Sequence, residues 1–159
     1  MTLNNETQTL VNLASPKMGT KIISVSDEFF GEATRMLSDQ EPVFIEDKYD
    51  THGKWMDGWE SKRRRDGGND WAIIKLGSPG IISTIEVDTS FFTGNFPPFF
   101  SLEGTDSKEI PKNDNEWVPL ITKSSLIGDQ KNNFNIESNI TLSYVRLQIF
   151  PDGGVARLR

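Results

Sequence analysis

Beyond residue 70 the chain breaks into short runs of β-branched and aromatic residues, each closed within a few positions by glycine, proline or asparagine. That rhythm of brief apolar runs and turn residues favours an all-β sandwich or barrel. Trp71-Ala72-Ile73-Ile74-Lys75-Leu76 is nearly continuous in apolar residues and is closed by Gly77, Ser78, Pro79 and Gly80, the pattern of a strand buried on both faces. Ile85 and Val87 alternate with Thr84, Glu86 and Asp88. A further run, 99–103, follows the Pro97-Pro98 break, and 116–121 reads as an edge strand because Pro119 interrupts it. Tyr144-Val145-Arg146-Leu147-Gln148-Ile149-Phe150 predicts a strand with Val145, Leu147 and Ile149 on one side. Residues 105–115 and 128–133, rich in charge, Asn and Gly, read as loops. One helix is predicted, capped by Ser26 or Asp27 and carrying Phe29, Phe30, Ala33, Met36 and Leu37 at helical spacing.

A chain of 159 residues fits one domain, here 12–159 behind a polar, flexible terminus at 1–11. No internal repeat or low-complexity segment is visible. The net charge of -6 argues against general nucleic-acid binding, which needs a basic footprint. With no cysteine, disulfides, thiolate metal sites and a cysteine nucleophile are excluded. No apolar run approaches the ~20 residues of a membrane span. The first twelve residues lack the basic and apolar regions of a secretory signal, so the expectation is a cytoplasmic protein.

Three runs concentrate polar and aromatic groups beyond what a fold requires. Trp55-Met56-Asp57-Gly58-Trp59-Glu60-Ser61-Lys62-Arg63-Arg64-Arg65 holds two indoles, two carboxylates and four cations. As an extended segment it places Trp55, Asp57, Trp59, Ser61 and Arg63 on one face, the makings of a pocket for a planar polar ligand. A guanidinium fork grips a carboxylate through two parallel hydrogen bonds. The same residues also fit plain packing for the indoles and solvated charge for the arginines. In Asp88-Thr89-Ser90-Phe91-Phe92-Thr93-Gly94-Asn95, a strand end runs into a turn, where Asp88 also fits a turn cap and Phe91 and Phe92 fit core packing better than a site. Phe150-Pro151-Asp152-Gly153-Gly154-Val155-Ala156-Arg157-Leu158-Arg159 joins a good turn to two arginines. His52, the single histidine, fits a general base or a plain surface residue. No phosphate loop, dinucleotide fingerprint, nucleophile elbow or metal-ligand spacing is present, so no metal or cofactor is expected.

These three runs, together with Asp70-Trp71-Ala72-Ile73-Ile74-Lys75-Leu76-Gly77 and the opening Leu13-Ala14-Ser15-Pro16-Lys17-Met18-Gly19-Thr20, occur in the order and at the spacing of one family. From about Asn12 to Arg159 the chain resembles the allantoicases (allantoate amidinohydrolases). The resemblance implies a jelly-roll β-sandwich of the galactose-binding or discoidin type, and hydrolysis of allantoate to ureidoglycolate and urea in purine (allantoin) degradation. Members of that family carry two such repeats in tandem. This chain resembles the first, with Arg159 inside the last expected strand, which implies a site completed by a second repeat or by self-association and little activity in the isolated chain. For such a substrate, the departing urea needs a proton and the incoming water a base. Asp57 and Glu60, then Asp152, are the expected catalytic carboxylates. Trp55, Trp59, Arg63, Arg64, Asp88, Asn95 and Arg157 are the expected substrate-binding residues. The alternative is a non-catalytic jelly-roll module that binds a sugar or another small polar ligand.

Overall fold

A computed structural model describes residues 9–159. Of the terminus expected to be flexible, 1–11, residues 1–8 lie outside the described part. The strands in chain order are β1 (Lys21–Val25), β2 (Tyr49–Asp50), β3 (Gly53–Lys54), β4 (Trp59–Glu60), β5 (Asp70–Gly80), β6 (Thr84–Asp88), β7 (Phe99–Thr105), β8 (Val118–Ser125), β9 (Lys131–Asn135), β10 (Leu142–Phe150), β11 (Gly154–Val155) and β12 (Arg157–Leu158). A five-stranded sheet in the order β1-β5-β10-β7-β8 faces a three-stranded sheet in the order β12-β6-β9, and β11 pairs with β4 and β2 with β3. All of these pairings are antiparallel. The all-β jelly-roll class expected from the sequence is the one observed.

Alternation builds the core. Ala72, Ile74 and Leu76 of β5, with Val145, Leu147 and Ile149 of β10, meet Ile85 and Val87 of β6 and Leu158 of β12 in one buried cluster. The Phe100 and Phe134 rings, 4.8 Å apart, tie β7 to β9 across the layer. The other face of β5 is not buried as expected: Trp71 and Ile73 are half-covered and Lys75 is exposed. That is the one-sided burial of an antiparallel sandwich sheet. Nor does β5 stop at Gly77, for it runs on to Gly80. At Gly77 the strand lies hard against residues 18–19, where a Cβ would stand 1.9 Å from the Met18 carbonyl oxygen. The proline-marked strand is an edge strand, β8.

Two expectations are corrected. Residues 26–37 do not form an α-helix, and only Ala33–Leu37 winds into a 3₁₀ turn that buries Ala33, Met36 and Leu37. The groups a helix would use are engaged elsewhere. The Ser26 hydroxyl donates to Asp70 Oδ1 at 2.8 Å and accepts from the Trp71 amide at 2.8 Å, extending the β1 edge. The amides of Phe30 and Gly31 both donate to the Glu60 carbonyl. Residues 128–133 are not all loop, since Lys131 opens β9 against β6. Its polar sequence hides a strand because Asn132 points inward, its amide donating to the carbonyls of Val87 and Ile127.

Candidate functional site

The three polar runs come together around β11. Gly154 pairs with Glu60 and Val155 with Trp59, joining the first run to the last. The Gly154 amide donates to the Asn95 carbonyl at 2.8 Å, and the Ala156 amide to the Asp88 carbonyl at 2.7 Å, which docks the middle run onto the same strand. The glycine pair permits this approach. A Cβ on Gly154 would lie 1.9 Å from the Phe92 ring, and Gly153 sits at φ 138°, where L side chains rarely go.

Glu60 is the reactive-looking carboxyl of this assembly. Its backbone is locked, with N–H donated to the Gly31 carbonyl and C=O accepting from Phe30 and Gly31, all at 3.1 Å. Its side chain is half-buried and Oε1 accepts from Asn95 Nδ2 at 2.9 Å. Burial pushes the Glu60 carboxyl above the usual glutamate range. The Asn95 hydrogen bond opposes that shift, and the nearby negative charge of Asp50 adds to it. A partly desolvated carboxyl with raised proton affinity is the kind of group that both gives and takes a proton in catalysis.

Several expected ligand contacts turn out to be internal. Trp59 is completely buried, its indole N–H donating to the Asp27 carbonyl at 2.8 Å. It is a core residue with no surface to offer a ligand. Arg157, 1% exposed, is held by both oxygens of Asp57 and by the carbonyls of Gln40, Arg35, Asp57 and Ala156. Neither Arg157 nor Asp57 is therefore a free clamp or a free acid. Arg64 spends its guanidinium on Asp66 and Asp70, which hold its proton more tightly than usual, while its amide donates to Asp152 Oδ2 at 2.8 Å. Asp152 thus anchors the basic run. Asp88 is fully buried and caps its own turn, Oδ1 accepting from the Ser90 amide and hydroxyl. Arg63 is exposed beside a cleft lined by Ser26, Asp27, Lys62, Arg65 and Asp70. Asn95 is exposed apart from its bond to Glu60, and Trp55 is half-buried. His52 is exposed and packs at a tilt against Phe29, with ring centroids 4.1 Å apart.

Sequence reasoning missed Asp50, Lys48 and Arg35, which lie outside the dense runs. The β2–β3 hairpin brings Asp50 near Glu60, and Arg35 and Lys48 both lie over the Trp55 ring. No local spacing signals such contacts, because the partners belong to different turns. A separate apolar cavity of about 440 Å³, lined by core residues such as Ile74, Leu76, Leu102 and Val145, contains none of the expected site residues. Among the described residues, no group of three or more His, Asp or Glu is placed to hold a metal ion, and no helix is long and apolar enough to cross a membrane.

Comparison with known proteins gives a consistent picture. The family model described as Allantoicase repeat matches residues 11–159. A curated relative named probable allantoicase, from Acinetobacter baylyi, is 49% identical over 150 residues, covering 94% of this chain and 45% of the relative. A solved allantoicase structure superposes with a TM-score of 0.82 at 32% identity, over 94% of this chain and 47% of that one. A chitosan-binding module from a Paenibacillus chitosanase/glucanase shares the fold, at a TM-score of 0.60 and 17% identity over 94% of this chain and 97% of the module. The chain spans about half the length of the curated relatives it matches.

Proposed function

This chain belongs to the allantoicase family, and from that premise we propose that it supplies a catalytic jelly-roll unit for the hydrolysis of allantoate to ureidoglycolate and urea. The observation that carries the reading is the Glu60–Asn95 pair: a raised, half-buried carboxyl at the point where all three polar runs converge. In the reaction one bond between the central carbon of allantoate and a ureido nitrogen breaks. That nitrogen takes a proton and leaves as urea, and the oxygen of a water joins the carbon. Glu60 gives the proton to the leaving nitrogen and recovers one from the water, so the carboxyl ends as it began. Asn95 fixes the carboxyl by its hydrogen bond. Asp57 and Asp152, with their oxygens committed to Arg157 and to the Arg64 amide, hold the loops that carry the site. The exposed Arg63 and the half-buried Trp55 are left to meet the substrate.

Because the relatives are about twice as long, the working enzyme in this reading contains a second jelly-roll unit, acts in the cytoplasm and is open to self-association. The test is urea release from allantoate by this chain alone and by the chain joined to the second half of a relative, each compared with Glu60→Gln. A loss of ~10²–10⁴-fold on Glu60→Gln, with an unchanged fold, is expected for an acid–base residue. Wild-type turnover in that variant sinks the assignment. Allantoate or sugar binding with no turnover in any form favours the non-catalytic module instead.

A further inference from the structure

We infer that Arg35, seconded by Lys48 on the Trp55 indole, is the carboxylate clamp of the Glu60 site, an assignment that rests on the allantoate reading above. Arg35 is half-buried, and among the described residues no carboxylate pairs with its guanidinium. One of its nitrogens, Nη1, donates to the Met56 carbonyl at 3.2 Å, and Cζ lies 5.2 Å from the Trp55 ring centroid. Lys48 Nζ lies 3.9 Å from the same centroid and likewise has no carboxylate partner among the described residues. Two cations gathered at one indole, in a chain of net charge -6, repel each other. The ring face offsets part of that repulsion. An anion between them removes the rest.

The other buried or half-buried arginines are already committed. Arg64 goes to Asp66 and Asp70, Arg146 to Glu103 and Asp114, Arg157 to Asp57, and Arg159 to Glu41 and Glu86. Arg35 therefore keeps donors for a ligand in a partly dry setting, where a guanidinium–carboxylate fork is strongest.

The position of Arg35 ties it to the chemistry. Gly31 exchanges backbone hydrogen bonds with Glu60, and a Cβ on Gly31 would stand 3.2 Å from the Glu60 nitrogen and 3.5 Å from Arg35 Nη1. One side-chain-free residue thus separates the guanidinium from the strand that carries the reactive carboxyl. The buried Arg157 braces the clamp from behind by donating to the Arg35 carbonyl at 3.2 Å. A ligand with a carboxylate and a ureido nitrogen offers one group to the clamp and one to Glu60. Its anion lies on Arg35 and Lys48, and its departing nitrogen faces Glu60.

The test measures binding to this chain of allantoate and of its carboxamide, which keeps both ureido groups but lacks the charge. The Trp55 indole N–H resonance serves as the local reporter. Wild type is expected to prefer allantoate by at least ~10-fold and to shift the Trp55 signal on binding. Arg35→Met should bring allantoate down to the level of the carboxamide without changing carboxamide affinity. Arg35→Lys, which keeps charge and loses the fork, should fall between, and it carries the test if Arg35→Met fails to fold. No preference for the anion in wild type, or an undiminished preference in the Arg35 variants, overturns the clamp. Glu60→Gln keeps the two readings apart. If it turns over normally while Arg35→Met loses the preference, the acid–base role of Glu60 falls and the clamp stands.

Discussion

Arg157 and Asp57 face each other through two parallel hydrogen bonds, Nη1 to Oδ1 at 3.1 Å and Nη2 to Oδ2 at 2.8 Å, with the guanidinium almost wholly inside the protein. They are 100 positions apart in sequence. The pair closes the end of the chain onto the indole-rich run, and its remaining donors reach the carbonyls of Arg35 and Gln40. Replacing Arg157 by Met strands the Asp57 carboxylate among groups that cannot neutralise it. Loss of one partner of a buried pair costs about 3–5 kcal/mol, and replacing both partners by apolar groups costs less. Urea unfolding of Arg157→Met, Asp57→Leu and the double variant checks this. A double variant that loses as much as the two singles added together contradicts a coupled pair.

Ser26 gives a second test, because two roles can be told apart at one residue. As a helix cap its loss would cost ~1 kcal/mol through one freed amide. In the structure its hydroxyl instead serves Asp70 and the Trp71 amide. Asp70 is fully buried and its Oδ2 already has no partner. Ser26→Ala therefore strips one of two donors from the buried Asp70 Oδ1, which keeps Arg64, and removes the acceptor of the half-covered Trp71 amide; a group left unpaired costs ~1–3 kcal/mol. Chemical unfolding should show a loss above that of a cap. A loss of a few tenths would mean that these bonds contribute little.

How far this could be read in advance depends on whether the signal was local. β6 and β10 announced themselves by alternation, and turn residues marked most of the breaks between strands. The segment 26–37 misled because apolar spacing at Phe29, Ala33, Met36 and Leu37 says nothing about amides claimed by the distant Glu60 carbonyl. Strand β9 was hidden by Asn132, whose amide replaces an apolar contact with hydrogen bonds inside the fold. The dense polar runs were visible as dense. Which of their groups face inward was not, since Trp59 is buried by β11 and Arg157 by an aspartate far upstream. Arg35 and Lys48 carried no signal at all, because their shared indole is a tertiary contact.

Gly154 joins the fold to the site. An alanine there drives its methyl into the buried Phe92 ring, which must move and carry the loop holding Asn95 with it. Overpacking of this kind costs about 1–3 kcal/mol. Gly154→Ala should both lower the unfolding midpoint and disturb the Asn95–Glu60 bond, seen as a change in the Asn95 side-chain amide resonances. A variant with normal stability and unchanged Asn95 signals would show that the loop does not depend on this contact.

The proton affinity of Glu60 sets a pH dependence whose sign can be worked out. Burial raises the carboxyl in the folded protein, and the negative charge of Asp50 adds to this, so the native state holds its proton at pH values where the unfolded chain has already lost it. In that window the native state binds more protons, and the free energy of unfolding falls as pH rises, then levels once both states are ionised. Glu60→Gln keeps an oxygen for Asn95 but has no proton to lose. It should match wild type at the acid end and become progressively more stable than wild type through the ordinary glutamate range and above it. Among the described residues, Asn95 is the neighbour that favours the charged carboxyl. Asn95→Ala should therefore raise Glu60 further and extend the window upward. Carboxyl carbon titration by NMR reads Glu60 directly, and urea midpoints against pH read the linkage. A Glu60 midpoint at or below the usual glutamate value, or one that drops in Asn95→Ala, would show that the carboxyl is not held by burial against Asn95, and would remove the physical basis for its acid–base role.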